Sequence, residues 1–509
     1  MNKHLIYIVM MCFMVLYTSV GFANPMNKTI VVNDGEKDIL TNQMAIIDEY
    51  EILLPAEVVR EYIYSNVDLD RQLKQMKINF SLPRIRLAEP ELSQKFFSGT
   101  TFSLPTKNID GISYVDLEVA SKIFGFTTTM DAEKVTIAIN QYSSFAPLLL
   151  KATADRPVIT GQKINLVWQP TFGEKTDATK ADKIKGLNVV SPSWFEIIDE
   201  HGTIKNKVDE RYVKAAHAKG YQVWALITNS FDPDLTRKVL YNEYAKQNVI
   251  KQLALYARLY QLDGINLDFE NIYDADKDQL TQFVKEVTDT LHALDLKVSI
   301  DVTVPSGISQ WSACYDRSGL AKNVDYVMLM AYDEHWRTSP VSGSVASIGW
   351  VERSLVNTLK DVPAEKLVLG VPFYMREWEE NLDGEKTGVK TMTMEMAEKT
   401  IRERQLKPEW LEAQGQYYFE YIDGDKRYRV WQEEERSMTL RVKLIDQYHL
   451  AGIAAWRKGF EGNEIWQVID SGLNENKVTE KIVATQADQD KKETKAKKKN
   501  KKKSDTAKK

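Results

Sequence analysis

The chain has 509 residues, 43% of them hydrophobic and 27% charged, with a formal net charge of −5. That length holds two or three domains and a large core, and the composition is that of an ordinary soluble globular protein. The charge balance carries no bulk signature for nucleic acid, and two cysteines, Cys12 and Cys314, exclude a disulfide scaffold and a cysteine-ligated zinc site.

The first 23 residues read as a secretory signal peptide. Lys3 and His4 lead an apolar run from Leu5 to Val20, and Gly21-Phe22-Ala23 offers small residues before a cut after Ala23. The alternative is an uncleaved anchor, because the apolar run is nearly long enough to span a bilayer. Cys12 falls inside this leader, so the expectation is a secreted or envelope-associated bacterial protein with Cys314 as its one thiol, held together by its core.

Residues 28–140 read as a separate small α+β module. A short strand running into a helix is expected at Leu54 to Ile63 and again at Tyr114 to Phe124, each followed by a strand, which points to an internal duplication. The pattern resembles the copper-amine-oxidase N-terminal-like module of exported bacterial enzymes. No histidine occurs between residues 28 and 150, so no copper site is expected; the module reads as a spacer or wall-contacting appendage.

After a linker at 141–159, apolar strands alternate with helical stretches from 160 to 473. Strands are expected at Ile164–Trp168, Gly186–Ser191, Gln222–Thr228, Gly264–Phe269, Lys297–Thr303, Tyr326–Tyr332, Leu367–Phe373 and Gly452–Trp456. Eight such strands with helical crossovers predict an α/β fold, the (β/α)8 TIM barrel. Residues 374–447 are too long for a simple connection, and Asp423-Gly424 between alternating runs signals a hairpin, so a small aromatic-bearing α+β insertion is expected there. Residues 474–509 are Lys-rich and lack apolar periodicity; they read either as a solvated tail or as an electrostatic contact to wall polymer or a membrane surface.

The chemistry concentrates in Asp263-Gly264-Ile265-Asn266-Leu267-Asp268-Phe269-Glu270, followed by Asn271. On a strand, Asn266, Asp268 and Glu270 share one face and Ile265, Leu267 and Phe269 the other. A buried polar row is costly unless it lines a working cavity. Barrel enzymes work at the C-terminal strand ends, which puts Glu270 at the mouth and Asp268 one pleat deeper. Two carboxylates on one strand do not flank a sugar from opposite faces. With Glu270 as acid, the substrate must bring its own nucleophile, and a 2-acetamido oxygen can reach C1 of its ring.

The stretch DGINLDFE resembles the fourth-strand signature of glycoside hydrolase family 18, whose pattern is Asp-Gly-x-Asp-x-Asp-x-Glu and which is a recognised substrate-assisted exception among glycosidases. The resemblance implies Glu270 as proton donor and Asp268 as the group that orients the acetamido nitrogen. Val327 to Asp333 resembles the sixth strand, implying that Tyr332 bonds the reacting carbonyl, with Asp333 beside it. Ala454-Ala455-Trp456 resembles the eighth, implying Trp456 as the floor under the sugar. Asn266 stands where the family usually has Asp, which predicts a less perturbed Asp268 than in chitinases. Asn266 and Asn271, Asn188 to Phe195, Glu334-His335-Trp336 and Arg429 to Glu434 resemble the branch of spore-cortex and wall-lytic N-acetylglucosaminidases.

Asn266, Asp333, Trp194, Trp336, Trp431 and Trp456 are the expected substrate contacts; Trp168, Trp194, Trp336 and Trp431 are equally open to a core role, whereas Trp456 reads as a sugar contact rather than core. Met328 and Met330 read as packing, and Asp301 as a polar group near the site or an interior anchor. No cofactor and no metal are expected. The partner is an N-acetylglucosamine-containing glycan, peptidoglycan or chitin-like, with no nucleic acid. The leading expectation is an exported retaining glycosidase on peptidoglycan; the alternatives are a chitinase or endo-N-acetylglucosaminidase on other glycans, and a non-catalytic wall-binding protein.

Overall fold

The computed structural model describes residues 26–47, 51–79, 100–139, 156–171, 182–462 and 464–474. The expected leader, most of the linker and the Lys-rich tail lie outside the described residues. Contacts divide the chain into two compact units, Met1–Met76 with Thr106–Phe145, and Lys77–Pro105 with Ala146–Lys509.

The first unit is built on a seven-stranded sheet. Its one parallel pair joins Met26–Asn33 to Lys134–Ala138. Ile52–Pro55 and Ile112–Asp116 lie side by side, antiparallel, and each runs directly into a helical turn. The second turn grows into the helix Leu117–Phe124 because Asp116 caps it, accepting from the Val119 amide at 3.0 Å, and Gly125 ends it at a φ of 69°. Leu117, Val119, Ala120 and Ile123 form its buried face.

The second unit is a closed eight-stranded parallel barrel. Its strands are β1 (Ile164–Gln169), β2 (Val189–Ile197), β3 (Gln222–Thr228), β4 (Gly264–Asp268), β5 (Lys297–Thr303), β6 (Tyr326–Met330), β7 (Leu367–Pro372) and β8 (Gly452–Trp456). Consecutive strands pair, and β8 pairs with β1 to close the ring. The runs are buried on both sides, as a parallel barrel requires. Closure between β8 and β1 needs Gly452, where a methyl group would collide with the Ile164 carbonyl oxygen. Ile164, Leu166, Trp168, Val189, Trp224, Leu226, Met328, Val368 and Ala454 fill the interior, so Met328 packs as expected.

Five strand ends differ from the sequence reading: the first and seventh shift by one residue, to Gln169 and Pro372, and the sixth stops at Met330, short of Tyr332. The second strand extends through Pro192, which lies in register opposite Gln169, to Ile197, with a register shift against β3 between Ser193 and Phe195. The fourth ends at Asp268, short of Phe269, so Glu270 stands outside the ladder.

Between β7 and β8 lies a five-stranded antiparallel sheet, in the order Lys386–Thr393, Tyr374–Asn381, Lys426–Gln432, Gln416–Asp423, Glu409–Leu411. Its central hairpin turns at Gly424, with Asp423 opposite Lys426. The helices Met394–Arg404 and Glu435–Gln447 complete this insertion. Glu433, fully buried, accepts hydrogen bonds from Gln416 (2.6 Å), Ser437 (3.0 Å) and Arg441 (2.7 Å). Arg441 also donates to the Ala346 carbonyl oxygen, which lies on the loop after β6.

Candidate active site

The polar row of β4 is resolved one residue at a time. Asn266 is fully buried. Its Oδ1 accepts from the Trp168 indole at 2.8 Å and from Ser191 at 3.2 Å, and its amide donates to Ser299 at 3.0 Å and Asp301 at 2.7 Å. One carboxamide thus spends both acceptor and both donor positions tying β1, β2 and β5 to β4. It has nothing left for a ligand, and the expected substrate contact at Asn266 is corrected to an interior clasp.

Asp268 closes β4 with 7% of its surface exposed. Its Oδ1 is buried with no hydrogen-bond partner. Burial first, and then the charge of Asp301, hold its carboxyl well above the ordinary value. Asp301, also buried, is raised by desolvation; the bond from Asn266 opposes that rise and the charge of Glu270 adds to it. The neutral side chain at 266 therefore does not leave Asp268 unperturbed, since Asp301 on the next strand supplies a second acid. Two acids sharing one dry interior raise each other's affinity for a proton.

Glu270 is half-buried on the turn after β4. Its carboxyl is pushed well above the usual carboxylate range by burial, then by the charges of Asp268 and Asp333. Both effects favour the protonated form, which is the form a proton donor needs.

Tyr332 and Trp456 pack on the interior core from this same end of the barrel. The Tyr332 phenol is held protonated by burial and by nearby Tyr374, Asp301, Asp268 and Glu270, so it remains a hydrogen-bond donor. Trp456 meets Trp168 at 6.3 Å between ring centroids, and Trp168 is the residue that bonds Asn266. Asp333 sits in the left-handed region at a φ of 60°. Its Oδ1 accepts from the Tyr374 hydroxyl and from Arg376, each at 2.6 Å. Glu270, Asp268, Tyr332 and Asp333 therefore share one electrostatic environment.

The remaining tryptophans separate. Trp194 is 2% exposed, with its ring set edge-on to Tyr212 at 5.3 Å. It offers no open face, and its expected role as a sugar platform is corrected to packing. Trp431, 8% exposed, lies in the insertion sheet against Tyr418 and beneath Arg429. Trp336, on the loop after β6, is 47% exposed.

Several contributors carried no sequence signal. Asn229, at the end of β3, bonds both main-chain groups of Glu270. Tyr315 donates to the Phe269 carbonyl oxygen at 2.8 Å. Tyr374 and Arg376 reach in from the insertion to hold Asp333. All act through contacts that exist only once the barrel has closed.

Residues 236–460 match the family model described as Glycosyl hydrolases family 18. A Bacillus subtilis (strain 168) protein named uncharacterized glycosylase YvbX is 29% identical over 298 residues, covering 56% of this chain and 85% of that protein. The cortical fragment-lytic enzyme of the same organism is 26% identical over 262 residues, 50% of this chain and 61% of the relative. Among solved structures, a chitinase from Chromobacterium violaceum superposes with a TM-score of 0.56 at 22% identity, over 61% of this chain and 99% of that one; this is a likeness of fold.

Proposed function

Because this chain carries a glycosyl hydrolase family 18 domain and is a glycoside hydrolase, we propose that it is an exported retaining enzyme that cleaves β-1,4 bonds after N-acetylglucosamine in peptidoglycan. The observation that carries the reading is Glu270 at the barrel mouth, its carboxyl pushed up by burial and by the charges of Asp268 and Asp333, with Asp268 buried behind it. In this reading Glu270 protonates the leaving glycosidic oxygen while the substrate's own acetamido oxygen attacks C1. Asp268 accepts from the acetamido N–H and offsets the positive charge of the oxazolinium ion. Tyr332 donates to the acetamido carbonyl oxygen, and Trp456 lies under the ring. Glu270, now a carboxylate, then takes a proton from the water that opens the intermediate, and the anomeric configuration is retained.

Peptidoglycan as substrate is supported by the likeness to the cortical fragment-lytic enzyme, and export by the apolar leader. Digestion of purified peptidoglycan, borohydride reduction and mass spectrometry test the substrate. Reduced N-acetylglucosamine ends are expected; reduced muramic-acid ends refute the bond assignment, and release only from chitin oligomers refutes the polymer.

A further inference from the structure

The ladder between β3 and β4 ends at the Thr228–Asp268 pair. Glu270 lies two residues beyond it, where main chain ordinarily loses its partners and its fixed position. Here a side chain replaces the strand. Asn229 Oδ1 accepts from the Glu270 N–H at 3.1 Å, and Asn229 Nδ2 donates to the Glu270 carbonyl oxygen at 2.8 Å.

The clamp is itself anchored. Asn229 is 1% exposed. Its Nδ2 also donates to Thr236 Oγ1 at 2.8 Å, and Thr236 donates in turn to the Asp232 carbonyl oxygen at 2.7 Å. The Ser230–Phe231 turn that follows holds two left-handed residues, at φ 58° and 52°. That turn returns Phe231, whose carbonyl oxygen accepts from the Asn271 side chain at 2.8 Å. Tyr315 fixes the Phe269 carbonyl oxygen from the other side. The main chain from Phe269 to Asn271 is thereby held by side chains from two neighbouring loops.

A proton donor works only within about 2.6–3.2 Å of its target, and a shift of about 1 Å can cost a hundredfold. From this geometry we infer that Asn229 is a positioning residue for the proton donor, its carboxamide serving as the strand partner that Glu270 lacks. The inference rests on the reading of Glu270 as the general acid.

The test compares leaving groups. A peptidoglycan tetrasaccharide leaves as a sugar and needs the proton; the 4-nitrophenyl glycoside of the matching disaccharide leaves with little help. Because Glu270 also serves as base in the second step, which both substrates share, the comparison is made in kcat/KM, which reports departure of the leaving group. Asn229→Ala is expected to lose about 10- to 100-fold in kcat/KM on the tetrasaccharide, with KM within about twofold, and less than about threefold in kcat/KM on the aryl glycoside. Equal losses in kcat/KM on both substrates, or wild-type kcat/KM on both, overturn the assignment. Should Asn229→Ala fail to fold by near-ultraviolet circular dichroism, Thr236→Val carries the test, because it removes the anchor and keeps the clamp; the same split is expected at smaller amplitude, and no split overturns the assignment. Glu270→Gln separates the two levels. A wild type that cleaves neither substrate, or a Glu270→Gln enzyme with wild-type turnover on the tetrasaccharide, refutes the proposed function and this inference with it.

Discussion

Asn266 donates a 2.7 Å hydrogen bond to Asp301 across neighbouring barrel strands, and that bond decides how three polar residues coexist in a dry interior. The amide accepts from Trp168 and Ser191 while it donates to Ser299 and Asp301. A carboxylate in its place would keep the acceptors and lose both donors. Asn266→Asp is therefore expected to destabilise the barrel by about 3 kcal/mol at pH 8, as an uncompensated buried charge does. The new carboxyl would titrate higher folded than unfolded. The native state would then bind the extra proton more tightly, so the penalty should be small near pH 4 and grow as pH rises through the folded value. Denaturant unfolding at pH 5 and pH 8 measures it. The added charge should also raise Asp268, moving the acid limb of the pH–rate profile to higher pH; superimposable acid limbs for wild type and variant would refute this.

Glu270 carries the acid–base chemistry, so Glu270→Gln should cost about two to four decades in kcat on a sugar leaving group, with KM and the thermal midpoint little changed. Steady-state kinetics with the purified variant check this.

The position of the basic limb follows from the causes that raise Glu270. Burial dominates, and Asp268 and Asp333 add like charge. Asp333→Asn removes one of those charges and should move the basic limb of kcat/KM to lower pH, because Glu270 then loses its proton more readily. Tyr374→Phe keeps the Asp333 charge and should move that limb far less. Equal shifts in the two variants would show that packing, not charge, sets the limb.

Trp194 and Trp336 separate packing from binding. Trp194, at 2% exposed and edge-on to Tyr212, should cost about 3–5 kcal/mol when replaced by Ala. Trp336, at 47% exposed, should leave unfolding within about 0.5 kcal/mol on Ala substitution and raise KM for the glycan. Paired melts and kinetics distinguish them, and a large stability loss at Trp336 would end its assignment as a binding face.

The barrel strands were legible because most are short apolar runs between turn signals, a pattern that burial on both faces imposes, with the fourth and fifth broken by Asn266, Asp268, Ser299 and Asp301. Pro192 obscured the end of the second strand, since proline ordinarily interrupts a ladder, yet here it lies in register opposite Gln169 of the first strand. Asp268 and Glu270 stood out because two acids on an apolar-backed run are costly. The clasp of Asn266 to Trp168 and Asp301 could not be read, because those residues lie 98 and 35 positions away and meet only on closure. Asn229 was invisible for a further reason: its partner is main chain, which any residue at 270 would present. Trp194 and Trp336 look alike in sequence, and exposure alone parts them.

The insertion is held by a buried ion pair whose worth depends on pH. Desolvation raises Glu433 from 4.5 to about 7, against the pull of Arg441 and Ser437. A carboxyl raised on folding binds its proton more tightly in the native state, so its contribution to stability falls as pH climbs from about 4.5 through about 7. Arg441→Ala removes the compensating charge and the donor to Ala346. Without Arg441 the Glu433 carboxyl rises further, so at pH 8 it must either stay buried as a charge without its counter-ion or take up a proton from a dilute supply, at an expected cost of up to about 3–5 kcal/mol. At pH 6 it would take up a proton, and the cost should fall toward that of lost packing. Glu433→Gln, which is uncharged at both pH values, should flatten this dependence when combined with Arg441→Ala. Denaturant titrations of the single and double variants at pH 6 and pH 8 test the pair, and a pH-independent loss in Arg441→Ala would show that the arginine acts by packing alone.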